Sequence, residues 1–201
     1  MIKLHGFPLS PNTRRALFGL EEAGLPYEFV PVDLMTAQHR TPEYKALNPT
    51  ARVPVMVEGD FTLWESNAIL EHLAARVPER ELGPKNPTER GCISQWMFMN
   101  AAHLSPALAH IFAHTIRLPE DQRIPKLVEN GRAEIERCLR PLDNHLAGKD
   151  WVIGRFTIAE ISIAPSLSVA PMIGVDLSVY PNVSAWLGRI RGRAAHQKVY
   201  G

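Results

Sequence analysis

Cysteine is nearly absent from this sequence: Cys92 and Cys138 are the only two among 201 residues. They form no Cys-x-x-Cys pair, and no second ligand stands at zinc-finger spacing, which excludes a disulfide framework and a thiolate zinc site. Each falls on an apolar helical stripe, where a free cysteine packs as a small hydrophobe. Long hydrophobic runs are missing too. No stretch approaches the ~18 apolar residues that span a bilayer, and Met1-Ile2-Lys3-Leu4-His5-Gly6 breaks off too soon for a signal-peptide core. These absences point to a cytoplasmic protein. Charge of one sign is also missing: 22 basic and 21 acidic residues are mixed along the chain, for a net charge of +1. That balance leaves no electrostatic footprint for nucleic acid or a membrane surface. Acidic residues vanish between Arg90 and Pro119, so His103, His110 and His114, spaced on one helical face, have no carboxylate neighbour there. They read as surface or cleft lining rather than a metal site. No repeat and no low-complexity tract is present.

Forty-five per cent of the residues are apolar, enough to bury one large core or two small ones. Residues 1–77 alternate strand and helix signals in the order β-α-β-α-β-β-α. Strands are expected over Ile2 to His5, Tyr27 to Val32, Val53 to Glu58 and Phe61 to Leu63, the last two as a hairpin around Gly59-Asp60. Helices are expected over Thr13 to Ala23, closed by Gly24, and over Ser66 to Arg76. A polar segment bearing Pro and Gly over 78–87 reads as a linker. Beyond it the pattern over 88–201 is helical. Apolar residues from Ile93 to Phe112 and from Ile124 to Leu146 recur at three-and-four spacing, predicting two long helices that pack together. Pro106 and Pro141 fall inside them as expected kinks or breaks. Thr157-Ile158-Ala159-Glu160 has the spacing of a capping box, with Phe156 and Ile161 at the staple positions.

The chemistry-bearing candidates lie in the first part. Arg52-Val53-Pro54 precedes a strand, and Pro54 cannot donate to a ladder, so this turn, in a form that can include a cis bond, leaves the Val53 backbone free to pair with a peptide. Ser66 opens a helix whose amides favour a carboxylate, and Glu65 just ahead can take an amine. A ligand that needs an extended backbone partner together with a grip on a free α-amino acid group is a γ-glutamyl peptide such as glutathione. Ser10, followed by Pro11, fits a helix N-cap. The same hydroxyl could donate to a ligand thiol and favour its thiolate, with the two roles competing unless the side chain reorients.

Ser10-Pro11-Asn12-Thr13-Arg14-Arg15, His39-Arg40, Asn48-Pro49, Arg52-Val53-Pro54 and Glu65-Ser66-Asn67-Ala68-Ile69 together resemble the cytosolic glutathione S-transferases, over the whole chain. Gly154 to Glu160 resembles that family's C-domain box, with Glu160 where Asp is usual. The resemblance implies an α/β plus all-α architecture, with a thioredoxin-like N-terminal domain and an all-helical C-terminal domain, and an electrophile held in the cleft between them. It implies Ser10 as the thiol-activating residue; the Asn12 amide, in the same loop, is the alternative donor. Val53 would pair its backbone with the cysteinyl unit, with Arg52 and Pro54 flanking it. Glu65 and Ser66 would hold the γ-glutamyl end, and His39 with Arg40 would meet the glycine carboxylate. The lack of any Tyr before Tyr27 and of Cys at position 10 resembles the serine-type, phi- or theta-like members. Glutathione as co-substrate, no metal, a small hydrophobic electrophile and a homodimer are the implied partners. Thr50 replaces the aromatic that locks some dimers. Glutathione-dependent peroxide reduction and a non-catalytic ligand carrier of the same fold are the alternatives. Trp64, Trp96, Trp151 and Trp186 are expected as core or interface anchors.

Overall fold

The computed structural model describes all 201 residues. By its contacts the chain forms two compact units, Met1–Gly83 with Ala194–Gly201, and Pro84–Arg193. All four strands belong to the first. They are β1 (Ile2–Gly6), β2 (Tyr27–Pro31), β3 (Val55–Glu58) and β4 (Phe61–Trp64), in the sheet order β2-β1-β3-β4. β1 and β2 run parallel, and β3 and β4 are antiparallel to their neighbours. Between and after them in sequence lie α1 (Pro11–Ala23), α2 (Pro42–Leu47) and α3 (Ser66–Arg76).

α1 starts two residues earlier than expected, because Pro11 occupies its first turn, where a missing amide costs nothing. Gly24, with φ of 68°, closes it in the left-handed conformation and donates to the Glu21 and Leu20 carbonyls. β3 starts at Val55 rather than Val53, as Pro54 cannot join the ladder; the Val53–Pro54 bond is cis. The core of this unit is built from Leu4, Phe18, Leu20, Met56, Ile69 and Leu70, all fully buried. Gly6 is required for α1 to approach β1, since a Cβ there would lie 2.4 Å from the Thr13 methyl.

The second unit contains only helices: α4 (Pro87–Met99), α5 (Ser105–Phe112), α6 (Pro125–His145), α7 (Ile158–Leu167) and α8 (Pro181–Arg191). α5 packs along α6, as the two apolar stripes predict. The long helix expected from Ile93 to Phe112, with a kink or break at Pro106, is interrupted there: a π-helical turn over Asn100–Leu104 precedes α5, and a second over Ala113–Arg117 follows it. Pro106 has no N–H to reach the Ala102 carbonyl, and the helix widens over that turn. Pro141 is absorbed within α6. The capping box is present: Glu160 accepts from the Thr157 amide at 2.8 Å and Thr157 accepts from the Ala159 amide at 3.3 Å. Burial pushes the Glu160 carboxyl up, against the hydrogen bonds that pull it down. Trp186 is fully buried, and Trp96 packs against the His145 ring at 4.9 Å.

Two segments sit differently from a simple reading of the pattern. The polar stretch from Pro78 is anchored, with Leu82 buried and Gly83 against Ala74. The last helix, α9 (Ala194–Tyr200), packs on α1 in the first unit instead of on its helical neighbours in sequence. His196 meets Phe18 edge-on at 5.7 Å, and Lys198 reaches Glu21 at 2.8 Å. No helix is long and apolar enough to cross a membrane.

Candidate functional site

Strand register brings the candidate residues to one end of the sheet. His5 pairs with Val55, which pairs with Trp64, while Gly6 pairs with Pro31 of β2. The chain therefore leaves β1 toward Ser10, enters β3 from Val53, leaves β4 into Glu65 and Ser66, and leaves β2 toward His39, all at the same end of the sheet. Four separate stretches of sequence meet there because parallel and antiparallel pairing align those strand ends.

Ser10 is the N-cap of α1, and its Oγ accepts from the Thr13 amide at 3.4 Å. A hydroxyl carries a donor as well as acceptor lone pairs. The capping bond therefore leaves the Ser10 proton free of the cap, and the hydroxyl need not reorient to donate. No acidic residue occupies the first turn of α1, so the positive end of the helix is not offset by a neighbouring carboxylate. The loop before it is fixed by three bonds: Phe7 amide to Thr13 Oγ1 (3.2 Å), Ser10 amide to the Phe7 carbonyl (3.0 Å) and Arg14 Nε to the Pro8 carbonyl (3.0 Å).

Arg15 ties this loop to α3. It is only 3 % exposed, and its Nη1 donates to Asn12 Oδ1 at 2.6 Å and to Ser66 Oγ at 2.7 Å. Burial lowers its pKa to about 10, with Tyr200 and Glu65 acting in the opposite direction, so the guanidinium stays charged at neutral pH. Ser66 is buried and accepts that bond, which leaves its own proton to donate. Glu65 is exposed with φ of 70° and ψ of 111° and makes no side-chain cap to α3. A non-glycine residue held there costs about 1–3 kcal/mol, and such strain gathers at ligand sites.

The Arg52 carbonyl accepts from Tyr44 Oη at 3.0 Å and from Asn48 Nδ2 at 2.8 Å. Asn48 Oδ1 in turn holds the Thr50 amide at 3.0 Å and its hydroxyl at 2.8 Å. This bracket fixes the peptide entering Val53-Pro54. The Arg52 side chain itself is exposed. His39 lies in a 3-10 turn over Gln38–Arg40, with its Nδ1 buried and unpartnered, and Arg40 is exposed. Neither hydrogen-bonds to Ser10, Val53 or Glu65.

Arg15, Tyr44 and Asn48 are thus part of the candidate site's framework; Arg15 and Asn48 lie in the motif stretches, while nothing in the sequence singled out Tyr44. Arg15 had a further signal: it falls on the α1 face carrying Thr13, Ala16, Phe18, Gly19 and Leu20, where a charged residue is out of place. In the second unit, His103 faces Glu134 at 3.3 Å and His114 Nδ1 accepts from the Ile124 amide at 3.2 Å. No three His, Cys, Asp or Glu side chains gather as a metal site.

Comparison with known proteins bears on this arrangement. A family model described as "Glutathione S-transferase, N-terminal domain" matches residues 1–75, and one described as "Glutathione S-transferase, C-terminal domain" matches residues 125–189. Glutathione S-transferase 3 of Zea mays is 33 % identical over 206 residues, covering 98 % of this chain and 92 % of its own. Glutathione S-transferase GstB of Escherichia coli K12 is 31 % identical over 202 residues, covering 99 % and 97 %. Among solved structures, the theta class glutathione S-transferase of Xanthomonas axonopodis pv. citri with glutathione bound is 31 % identical, with a TM-score of 0.89 over 98 % of this chain and 95 % of that one. A glutathione transferase of Burkholderia graminis with two glutathione molecules bound per subunit is 28 % identical, with a TM-score of 0.89 over 98 % and 86 %.

Proposed function

The chain belongs to the glutathione S-transferase family, and from that premise we propose that the sheet end carrying Ser10, Val53, Glu65 and Ser66 binds glutathione and ionises its thiol. The observation that carries this reading is the buried Arg15 bridge, which fixes Asn12 beside Ser10 relative to Ser66 at the start of α3. It holds a thiol end and a γ-glutamyl end at a set separation. In this reading Ser66 and the α3 amides take the γ-glutamyl carboxylate, Glu65 takes its ammonium, and the Val53 backbone pairs with the cysteinyl unit. The bracket on the Arg52 carbonyl presets that backbone. His39 and Arg40 meet the glycine carboxylate.

Ser10 donates to the sulfur. A free thiol titrates near 8.5, and lowering it by ~2 units takes about 2.7 kcal/mol of preference for the thiolate. One charge-assisted hydrogen bond supplies roughly 1.5–3 kcal/mol, and an unopposed helix N-terminus adds about 0.3–1 kcal/mol. The thiolate then attacks an electrophilic carbon: the S–C bond forms, the leaving group departs with its electron pair, and the thiol proton has already passed to solvent. Leu9, 66 % exposed beside Ser10, offers an apolar surface to such an electrophile. The protein acts as a homodimer in the cytoplasm, where glutathione is kept reduced.

Peroxide reduction by the same thiolate is the second reading. One hydroperoxide and two glutathiones would give the alcohol, water and glutathione disulfide. Retention on immobilised glutathione, with turnover of a generic aryl halide and of an organic hydroperoxide, tests the whole proposal. Retention with neither turnover would make the chain a carrier, and failure to be retained would remove the site.

A further inference from the structure

The return of residues 194–201 to the first unit gives α1 a contact that lies close to Ser10. The Tyr200 ring lies under the Arg14 guanidinium, 4.5 Å from Cζ to the ring centroid. Arg14 Nε donates to the Pro8 carbonyl at 3.0 Å, two residues before Ser10. His196 stacks on Tyr200, with centroids 4.3 Å apart and planes 7° apart, and its edge contact with Phe18 seats that pair on α1. Farther along the helix, Lys198 pairs with Glu21, whose other oxygen accepts from the Tyr27 hydroxyl at 2.6 Å.

A guanidinium over an aromatic face is held by the ring quadrupole, and the planar ring loses little freedom in holding it. Arg14 is a flexible side chain on the half-buried face of α1. Without the ring it has many rotamers, and only some of them keep Nε on the Pro8 carbonyl. We propose that Tyr200 is a positioning residue for the thiol site: its ring holds Arg14 on the Pro8 carbonyl and so fixes the loop that presents Ser10. This rests on the reading of Ser10 as the thiolate donor. A displacement of well under an ångström in a donor matters, because hydrogen bonds weaken steeply with distance and angle. Tyr200 need not touch glutathione to be felt in the ionisation of its thiol.

The test compares Tyr200→Ala, Tyr200→Leu, Tyr200→Phe and Lys198→Ala, reading the ultraviolet thiolate signal of the glutathione complex against pH, and kcat and KM with an aryl halide. Tyr200→Leu keeps apolar bulk against His196, so α9 has a means to stay docked if the alanine variant unfolds. Ala and Leu are expected to raise the bound thiol's pKa by at least ~0.5 unit, to lower kcat roughly threefold at neutral pH and to move KM for glutathione less than twofold. Tyr200→Phe keeps the ring and should shift the titration less than Leu does, losing only what the hydroxyl contributes through its charge interaction with Arg15, while Lys198→Ala, which cuts the distant ion pair only, should overlay the parent. A leucine variant that titrates like the parent overturns the proposal. So does an equal shift in Tyr200→Phe or in Lys198→Ala, which would put the effect in the hydroxyl or in general docking. Ser10→Ala is run alongside: a shift there with none at Tyr200 removes this inference alone, while no shift in either removes the thiolate reading with it.

Discussion

Arg15 is the residue whose surroundings are least like those of its type. Next to it Arg14 has the same charge and helix propensity, yet one is buried between Asn12 and Ser66 and the other lies on a tyrosine ring. Helical phase separates them and composition does not, which is why the buried hub was only half legible in the sequence. Ser10, Glu65 and Ser66 were legible as candidates because their positions next to helix starts have a direct chemical meaning. The backbone strain at Glu65 was not, since φ of 70° is imposed by the β4–α3 junction rather than by the residue. The roles separate in a mutant pair. Ser10→Ala should raise the pKa of the bound thiol by at least ~1 unit, about 1.4 kcal/mol, lowering kcat with little change in KM for glutathione. Glu65→Gln should do the reverse, raising KM severalfold with kcat nearly kept, because the ammonium is gripped equally in ground and transition states. Thiolate absorbance against pH and steady-state kinetics read both. An Ser10→Ala titration that overlays the parent would turn attention to Asn12.

Local start and stop signals located the elements well. α3 spans the expected Ser66–Arg76, Gly24 ends α1, and the capping box opens α7 at Ile158. These signals work because caps satisfy particular orphan amides and carbonyls within a few residues. Pro106 marked the interruption before α5, where buried Asn100 donates to the Ser162 carbonyl at 2.8 Å, but the π-helical turn over Ala113–Arg117 was not legible, because no proline or glycine marks it. The start of α4 supports a pH prediction. Glu89 accepts from the Lys85 amide at 2.8 Å and from Arg155 at 2.5 Å, and these two bonds, the backbone one foremost, hold its carboxyl below the usual range. A depressed folded pKa means the stabilisation is fully present above the unfolded value, about 4.3, and is lost as pH falls through the folded one. Glu89→Gln is therefore expected to lower Tm at pH 7 and to shrink the fall in Tm between pH 7 and pH 3. An unchanged pH dependence in melting curves would show that the pair adds nothing to folding.

For the molecule as a whole, the balance of strand-bearing and all-helical parts could be read from the change of hydrophobic period near residue 78. The pairing of α9 with α1 could not, since Lys198 and Glu21 stand 177 residues apart and nothing local marks them as partners. The surface makes a further demand. Of the tryptophans expected as core or interface anchors, Trp96 is spent in the helical core, while Trp64 is 37 % exposed; Phe61, also on β4 but not among them, is 44 % exposed. β4 is an edge strand, and an edge that shows aromatic side chains invites pairing unless something covers it. Thr50 is held by Asn48 instead of projecting an aromatic lock, and the β4 edge carries the exposed aromatic side chains of this unit that a second copy could bury. Light scattering at micromolar concentration should give twice the 22.5 kDa chain mass, and Trp64→Glu should shift it toward the single-chain value by setting a charge in the contact. The parent running as one chain would reject the dimer. A Trp64→Glu protein that stays dimeric would move the interface off β4 while leaving the assembly intact.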